Sequence, residues 1–246
     1  LGNTAALMLH GLFEHKGRHQ INADWFNNLK IETTLIDLPG HGAEEVNKGD
    51  IESWEKNDSA ILEAFNGISN FDKRILIGHS YGGLVATYSV LKKIVSPDYL
   101  ILSAPLFEDN YPKVIRSLSK PLASIAPKLR APSPVSKRNL STDSSVVEDY
   151  FNDPLVYRSL SFRFGYLITE AQKYVNANID KLNIPTIVLH GKDDKIVPIS
   201  GCRAISKLDN VKFVEVNNSK HEILNQDTRP FVLSEIFEWL KENNLV

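Results

Sequence analysis

The sequence predicts an α/β fold: a mostly parallel central sheet flanked by helices, with a helical unit inserted into it. Three observations predict it. Short runs rich in Ile, Leu and Val alternate with longer segments of helical period. Those short runs are apolar almost throughout, as expected of strands covered on both faces. The alternation fails from about Phe107 to Tyr166, where no convincing strand is found and Pro112, Pro121, Pro127, Pro132 and Pro134 recur. A structureless loop of that length is uncommon in a compact domain, so the stretch reads as an inserted helical unit.

In order along the chain, strands are expected at Ala5–His10, Thr33–Leu38, Arg74–Gly78, Tyr99–Ser103, Thr186–His190 and Lys212–Val216. Helices are expected near 51–68, 82–95, 166–178, 199–208 and 228–243. Residues 1–106 and 167–246 then form the core, and 107–166 the cap. In the cap, Tyr111, Val114, Ile115, Leu118, Leu122, Ile125, Ala126 and Leu129 approach helical spacing, and Pro121 is expected to split them into two short helices.

Composition bounds the function. With 42% hydrophobic and 24% charged residues, the 246-residue chain is globular and long enough to bury a core without staples. One cysteine, Cys202, excludes an intrachain disulfide and a cysteine zinc site; it reads as a small packed residue. A net charge of −2 argues against nucleic acid as a partner. No apolar run is long enough to span a bilayer. The opening LGNTAALMLHGLF lacks a basic segment and reads as a strand rather than a signal peptide, although a chain beginning with Leu could have lost a leader. The expected location is cytoplasmic, with peripheral membrane contact through the cap.

Gly78-His79-Ser80-Tyr81-Gly82 fits G-x-S-x-G. The bare pattern is weak, but here it lies between a strand-like KRILIG and a helix-like GGLVATYSVL. Strand, sharp turn and helix together lift a serine Oγ above the strand end. The glycines leave room for neighbouring backbone, and the helix start offers free N–H groups to an oxyanion.

A serine hydroxyl needs a base to act as a nucleophile at neutral pH. His221, after the last strand, is the candidate among seven histidines. His10 is expected to organise its loop instead. An acid should follow the preceding strand, where Asp193 and Asp194 are adjacent and only one can face the imidazole. The oxyanion needs two preorganised N–H donors. Tyr81 should give one, and the loop after the first strand the other, from Leu12 or failing that Phe13.

HGLFEHKGRH (10–19), LIDLPGHG (35–42), GHSYGG (78–83), LSAPLF (102–107), LSTDSSVVEDYFNDPLVY (140–157), HGKDDKIVP (190–198) and SKHEILN (219–225) together resemble the monoacylglycerol lipase and lysophospholipase group of the α/β-hydrolase fold. The likeness runs in order through nearly the whole chain. It implies that the acid is Asp194, that the first oxyanion N–H is that of Leu12, and that Glu14 and Arg18 lie near the polar head of the substrate or brace the loop. It also implies that 107–166 is a cap over the acyl site. Two departures stand out: Phe13 replaces the second glycine of H-G-x-G, which bears on the acyl pocket, and the usual first strand pair is missing or trimmed.

Every charge from Lys113 to Arg138 is positive, which suits either a solvated face or contact with anionic lipid. The expected reaction is hydrolysis of a single-acyl lipid ester, with neither metal nor cofactor. A general short- to medium-chain carboxylesterase and a non-catalytic binding protein of the same fold are the alternatives. A dehalogenase would need Asp in place of Ser80.

Overall fold

The computed structural model describes residues 3–43 and 47–246. The strands are β1 (Thr4–Leu9), β2 (Ile31–Ile36), β3 (Lys73–His79), β4 (Tyr99–Ser103), β5 (Arg130–Pro132), β6 (Ser159–Ser161), β7 (Thr186–Gly191) and β8 (Val211–Val216). Six of them form one sheet in the order β2-β1-β3-β4-β7-β8, every neighbouring pair parallel. The helices are α1 (Gln20–Asn28), α2 (Glu55–Asn66), α3 (Tyr81–Leu91), α4 (Lys113–Ile125), α5 (Lys137–Leu140), α6 (Ser144–Asn152), α7 (Phe162–Asn178) and α8 (Arg229–Glu242).

Side chains alternate across a strand, so a strand covered on both sides feeds two cores. Ala5, Leu7 and Leu9 of β1 join Ile61, Leu84, Val85 and Phe164 under α2, α3 and α7. Ala6 and Met8 join Phe26, Val232 and Ile236 under α1 and α8. Burying each large apolar side chain contributes about 1.5–3 kcal/mol. That requirement explains why the inner strands β1, β3, β4 and β7 are largely apolar without alternation, whereas the edge strands β2 and β8 carry polar residues and are half-buried.

The strand order places a topological switch between β1 and β3. The chain leaves β1 through α1 toward β2, and leaves β3 through α3 toward β4, in opposite directions along the sheet. A crevice opens outside the carboxyl ends of two such strands. It lies between the loop from His10 and the turn at Ser80.

Four elements differ from expectation. Helix α1 was not anticipated: its buried residues are Asn22, Ala23 and Phe26, which leave no apolar stripe to read. The 199–208 segment forms two short 3-10 turns, Ile199–Cys202 and Ile205–Lys207, rather than one helix. Pro121 does not split the apolar stripe from Tyr111 to Leu129 into two helices there, since α4 runs through it. The proline faces outward, where the carbonyl it leaves unpaired can meet water. Finally, β5 and β6 form a two-stranded antiparallel sheet within 107–166, each too short to show a period.

Candidate active site

Ser80 sits between β3 and α3 with φ 52° and ψ −114°, outside the comfortable regions for a side-chain-bearing residue. Its surroundings hold it there. Its N–H donates to the Ser103 carbonyl at 2.8 Å, and its carbonyl accepts from Leu106 N–H at 2.9 Å and Leu84 N–H at 3.1 Å. A Cβ on Gly82 would lie 2.5 Å from the Leu9 carbonyl oxygen, and one on Gly78 would lie 2.5 Å from that of Gly82. The turn can therefore pack against β1 only with glycine at both places.

His221 Nε2 lies 2.9 Å from Ser80 Oγ, and His221 Nδ1 lies 2.7 Å from Asp194 Oδ2. With the acid accepting the Nδ1 proton, Nε2 faces the hydroxyl with a free lone pair. The other Asp194 oxygen accepts from the N–H groups of Ile196 and Val197, each at 2.9 Å. Burial alone would raise the Asp194 carboxyl, but His221 and His190 hold it well below the usual carboxylate range. Asp193 is exposed and away from the imidazole. His190 extends the chain of contacts: its Nε2 lies 3.5 Å from Asp194, and its Nδ1 lies 3.4 Å from Cys202 Sγ. Burial would lower His190, yet Asp194 and Cys202 raise it to about 9. Cys202 is buried and is packed under the acid rather than facing the serine.

Two further histidines are framework. His10 donates from Nδ1 to the Gly11 carbonyl at 2.7 Å and accepts from Leu38 N–H at 2.9 Å. His41 donates to the Pro39 carbonyl and accepts from the Tyr157 hydroxyl at 2.8 Å. Each ring thus uses one nitrogen as donor and one as acceptor, the neutral pattern. Burial pushes His10 down to about 4 and His41 to about 3.

Leu12 and Phe13 lie on the loop after β1. Phe13 takes φ 72°, the left-handed region that favours glycine, at the place where the resembled family has glycine. Its carbonyl accepts from Tyr157 N–H at 3.1 Å, and its ring meets Tyr157 edge-on. Tyr81 begins α3, so its N–H has no partner within the helix and opens beside Ser80. Glu14 is buried: one oxygen accepts from Gly11 N–H at 2.6 Å and pairs with His19 at 2.9 Å, the other takes Arg18 Nε at 2.7 Å. Arg18 also reaches Glu222 at 3.1 Å and lies over the Tyr150 ring.

A partly open cavity lies over Ser80. Its larger part is apolar, with Leu106, Ile115, Val135, Leu160, Ile168 and Ile196; its polar end holds Glu14, His79, Tyr150, His221 and Glu222. Arg18 is not on this wall and opens instead onto a separate polar depression with His15 and Asp153. Residues of 107–166 reach both sides of the serine. The Leu140 carbonyl accepts from the N–H groups of His221 and Glu222 at 3.2 Å each, and Lys220 Nζ donates to the Ser141 carbonyl. Among the described residues no group of His, Cys, Asp and Glu is placed to hold a metal.

The structure therefore brings Ser80, Asp194 and His221 into one hydrogen-bonded line, with Leu12, Phe13, Tyr81 and Glu14 around it and Arg18 behind Glu14. Sequence reasoning missed His190, Tyr150, Leu140 and Glu222. Glu222 left one readable signal, an acidic residue directly after the histidine.

Among known proteins, the chain is 27% identical to an uncharacterized abhydrolase domain-containing protein of Dictyostelium discoideum, over 96% of this chain but 26% of that protein. It is 28% identical to phospholipase YtpA of Bacillus subtilis, over 91% of this chain and 89% of the relative. In structure it resembles a monoacylglycerol lipase of Paleococcus ferrophilus, with TM-score 0.89, 25% identity, and 96% and 93% of the two chains covered. The family model described as serine aminopeptidase, S33 matches residues 3–228, nearly the full length. The chain belongs to that family of α/β hydrolases.

Proposed function

We propose that this chain is a serine esterase that hydrolyses single-acyl lipid esters of the monoacylglycerol or lysophospholipid kind. The observation that carries the reading is the Ser80–His221–Asp194 line opening onto a cavity whose wall is largely apolar, with Leu106, Ile115, Val135, Leu160, Ile168 and Ile196. Ser80 Oγ attacks the ester carbonyl carbon as its proton passes to His221 Nε2. The oxyanion is held by the N–H groups of Leu12 and Tyr81. Collapse breaks the bond to the alcohol oxygen, which takes the proton from His221, and leaves the acyl group on Ser80. Water then repeats the sequence and frees the acid. Asp194 keeps the imidazole in the required tautomer and balances its charge without taking the proton.

In this proposal 107–166 is the cap, with α7 starting inside it. Phe13 and the apolar wall receive the acyl chain, and Glu14, braced by Arg18, stands at the polar head. The bacterial relative named a phospholipase and the archaeal neighbour named a monoacylglycerol lipase support the substrate class. Outside the cavity, Val114, Leu118, Ile125 and Leu129 are exposed beside Lys113, Lys120 and Lys128. An apolar strip among lysines suits peripheral contact with an anionic, cytoplasmic membrane face. Among the described residues no helix is long and apolar enough to cross a membrane.

The test is a fluorophosphonate probe and a panel of monoacylglycerols, lysophospholipids, p-nitrophenyl esters and aminoacyl anilides. Wild type should be labelled and should cleave the lipid esters. Ser80→Ala should lose labelling and about 10⁶ in turnover while keeping its fold. Labelling or turnover that survives Ser80→Ala, or cleavage of the anilides alone, refutes the reading.

A further inference from the structure

The general base must return its proton to the departing alcohol, so that alcohol's oxygen comes within hydrogen-bond reach of His221 Nε2. The acyl chain takes the apolar part of the cavity, which leaves the alcohol the polar end formed by Glu14, His79, Tyr150 and Glu222. Two carboxylates stand there. Both are buried, and Arg18 is the one guanidinium bound to them. Arg116, which does line the cavity, is paired with Asp109 and adds no net charge.

The two carboxylates are committed differently. Both Glu14 oxygens are taken by Gly11, His19 and Arg18. On Glu222, one oxygen takes Arg18 at 3.1 Å and Asn225 at 2.7 Å, whereas the other has only His79 Nε2, at 3.7 Å. That distance exceeds a good hydrogen bond, so this oxygen keeps acceptor capacity beside the leaving group.

We propose that Glu222 is a specificity-determining residue: its carboxylate accepts a hydroxyl of a neutral polyol leaving group and, with Glu14, repels an anionic phosphodiester in the same place. This deepens the esterase reading above and rests on it. The chain would then be selective for monoacylglycerol-type esters over lysophospholipids. Burial and the neighbouring Glu14 raise the Glu222 carboxyl, but Arg18 and His79 together hold it at about 2, so the charge is present across the working pH range. In a lysophospholipid the phosphate lies about 6 Å from the ester oxygen. A phosphate brought to about 6 Å from the Glu222 carboxylate, at an effective dielectric of about 20, would be opposed by about 100-fold.

The experiment compares kcat/KM for 1-lauroylglycerol and 1-lauroyl-lysophosphatidylglycerol, with p-nitrophenyl laurate as a head-group-free reference, in wild type and Glu222→Gln. Glutamine keeps the shape and an acceptor for Arg18 and Asn225. The expected wild-type preference for the glycerol ester is about 100-fold, falling at least 10-fold in Glu222→Gln because one rate drops and the other rises. A residue that merely braces the loop would lower both rates together and leave their ratio unchanged, which overturns the proposal. Near-equal wild-type rates for the two lipids overturn it too, and need no variant. If none of the three esters is cleaved and the fluorophosphonate does not label Ser80, the esterase reading itself falls. Cleavage of p-nitrophenyl laurate and both lipids with no preference sinks only the role of Glu222.

Discussion

Lowering the pH from 7 to 5 should destabilise the fold through His10 and His41. Both are buried neutral, with folded values of about 4 and 3 against an ordinary 6.5. A histidine depressed on folding binds its proton more readily when unfolded. Its contribution is therefore intact above about pH 6.5 and is lost as the pH falls toward the folded value. At pH 5 each ring costs about 2 kcal/mol, together about 4 kcal/mol. His190 acts in the opposite sense: raised to about 9, it favours the folded state more as the unfolded chain loses protons less easily, and returns about 1 kcal/mol over the same range. The depressed carboxylates Glu14, Asp194 and Glu222 contribute little until the pH falls below about 4.5. The net loss, about 3 kcal/mol, is a large part of the 5–15 kcal/mol typical of a domain. Urea unfolding at pH 7, 6 and 5 measures it, with a slope near pH 5.5 of about 2.4 kcal/mol per pH unit. His41→Phe keeps the ring on Tyr81 but cannot titrate, and should halve that slope. A loss under about 1 kcal/mol, or an unchanged slope in His41→Phe, refutes the reasoning.

Asp194→Asn should reduce turnover by about 10⁴ and Asp193→Asn only slightly, because Asp194 alone meets His221; steady-state kinetics on p-nitrophenyl laurate would expose a reversed order. Gly82→Ala drives a Cβ against the Leu9 and His10 carbonyl oxygens at 2.5 and 2.6 Å, both backbone, and should destabilise by about 3 kcal/mol or abolish folding; a urea midpoint equal to wild type would show that the turn has slack. Lys120→Glu with Lys128→Glu should weaken binding to anionic vesicles, each lysine contributing about 1 kcal/mol at low salt. Sedimentation at low and high salt checks this, and hydrolysis of a small soluble ester should stay near wild type.

The parts of the fold that could be read from sequence were those decided locally. Each sheet strand lies within about two residues of its expected limits, and for the inner strands burial on both faces demands a nearly unbroken apolar run. The G-x-S-x-G turn was readable for a similar reason, since its steric needs fall within five residues. What escaped depends on distant partners. Helix α1 turns Asn22 inward, where Asn225 and Arg229 meet its side chain from the far end of the chain. Glu222 meets Arg18 from 204 positions away, and no pattern around either residue announces the pair. Pro121 was misjudged because a proline's cost in a helix depends on which side faces water, which sequence spacing alone does not reveal.

The Leu140 carbonyl, bonded at once to the amides of His221 and Glu222, also divides residues 107–166 into unequal parts for anyone wishing to exchange them. Residues from Leu140 to Tyr157 are tied to the histidine loop through Leu140 and Ser141, and to the first loop through Asp153 and Tyr157. Stretches taken from a relative should therefore be spliced between Tyr111 and Lys137, where α4 rests on α7. A graft reaching past Leu140 would carry a foreign partner for the base along with a new acyl preference. Residues 140–157 must therefore vary in step with the hydrolytic core, whereas 111–137 answers mainly to α7, β6 and the cavity it lines.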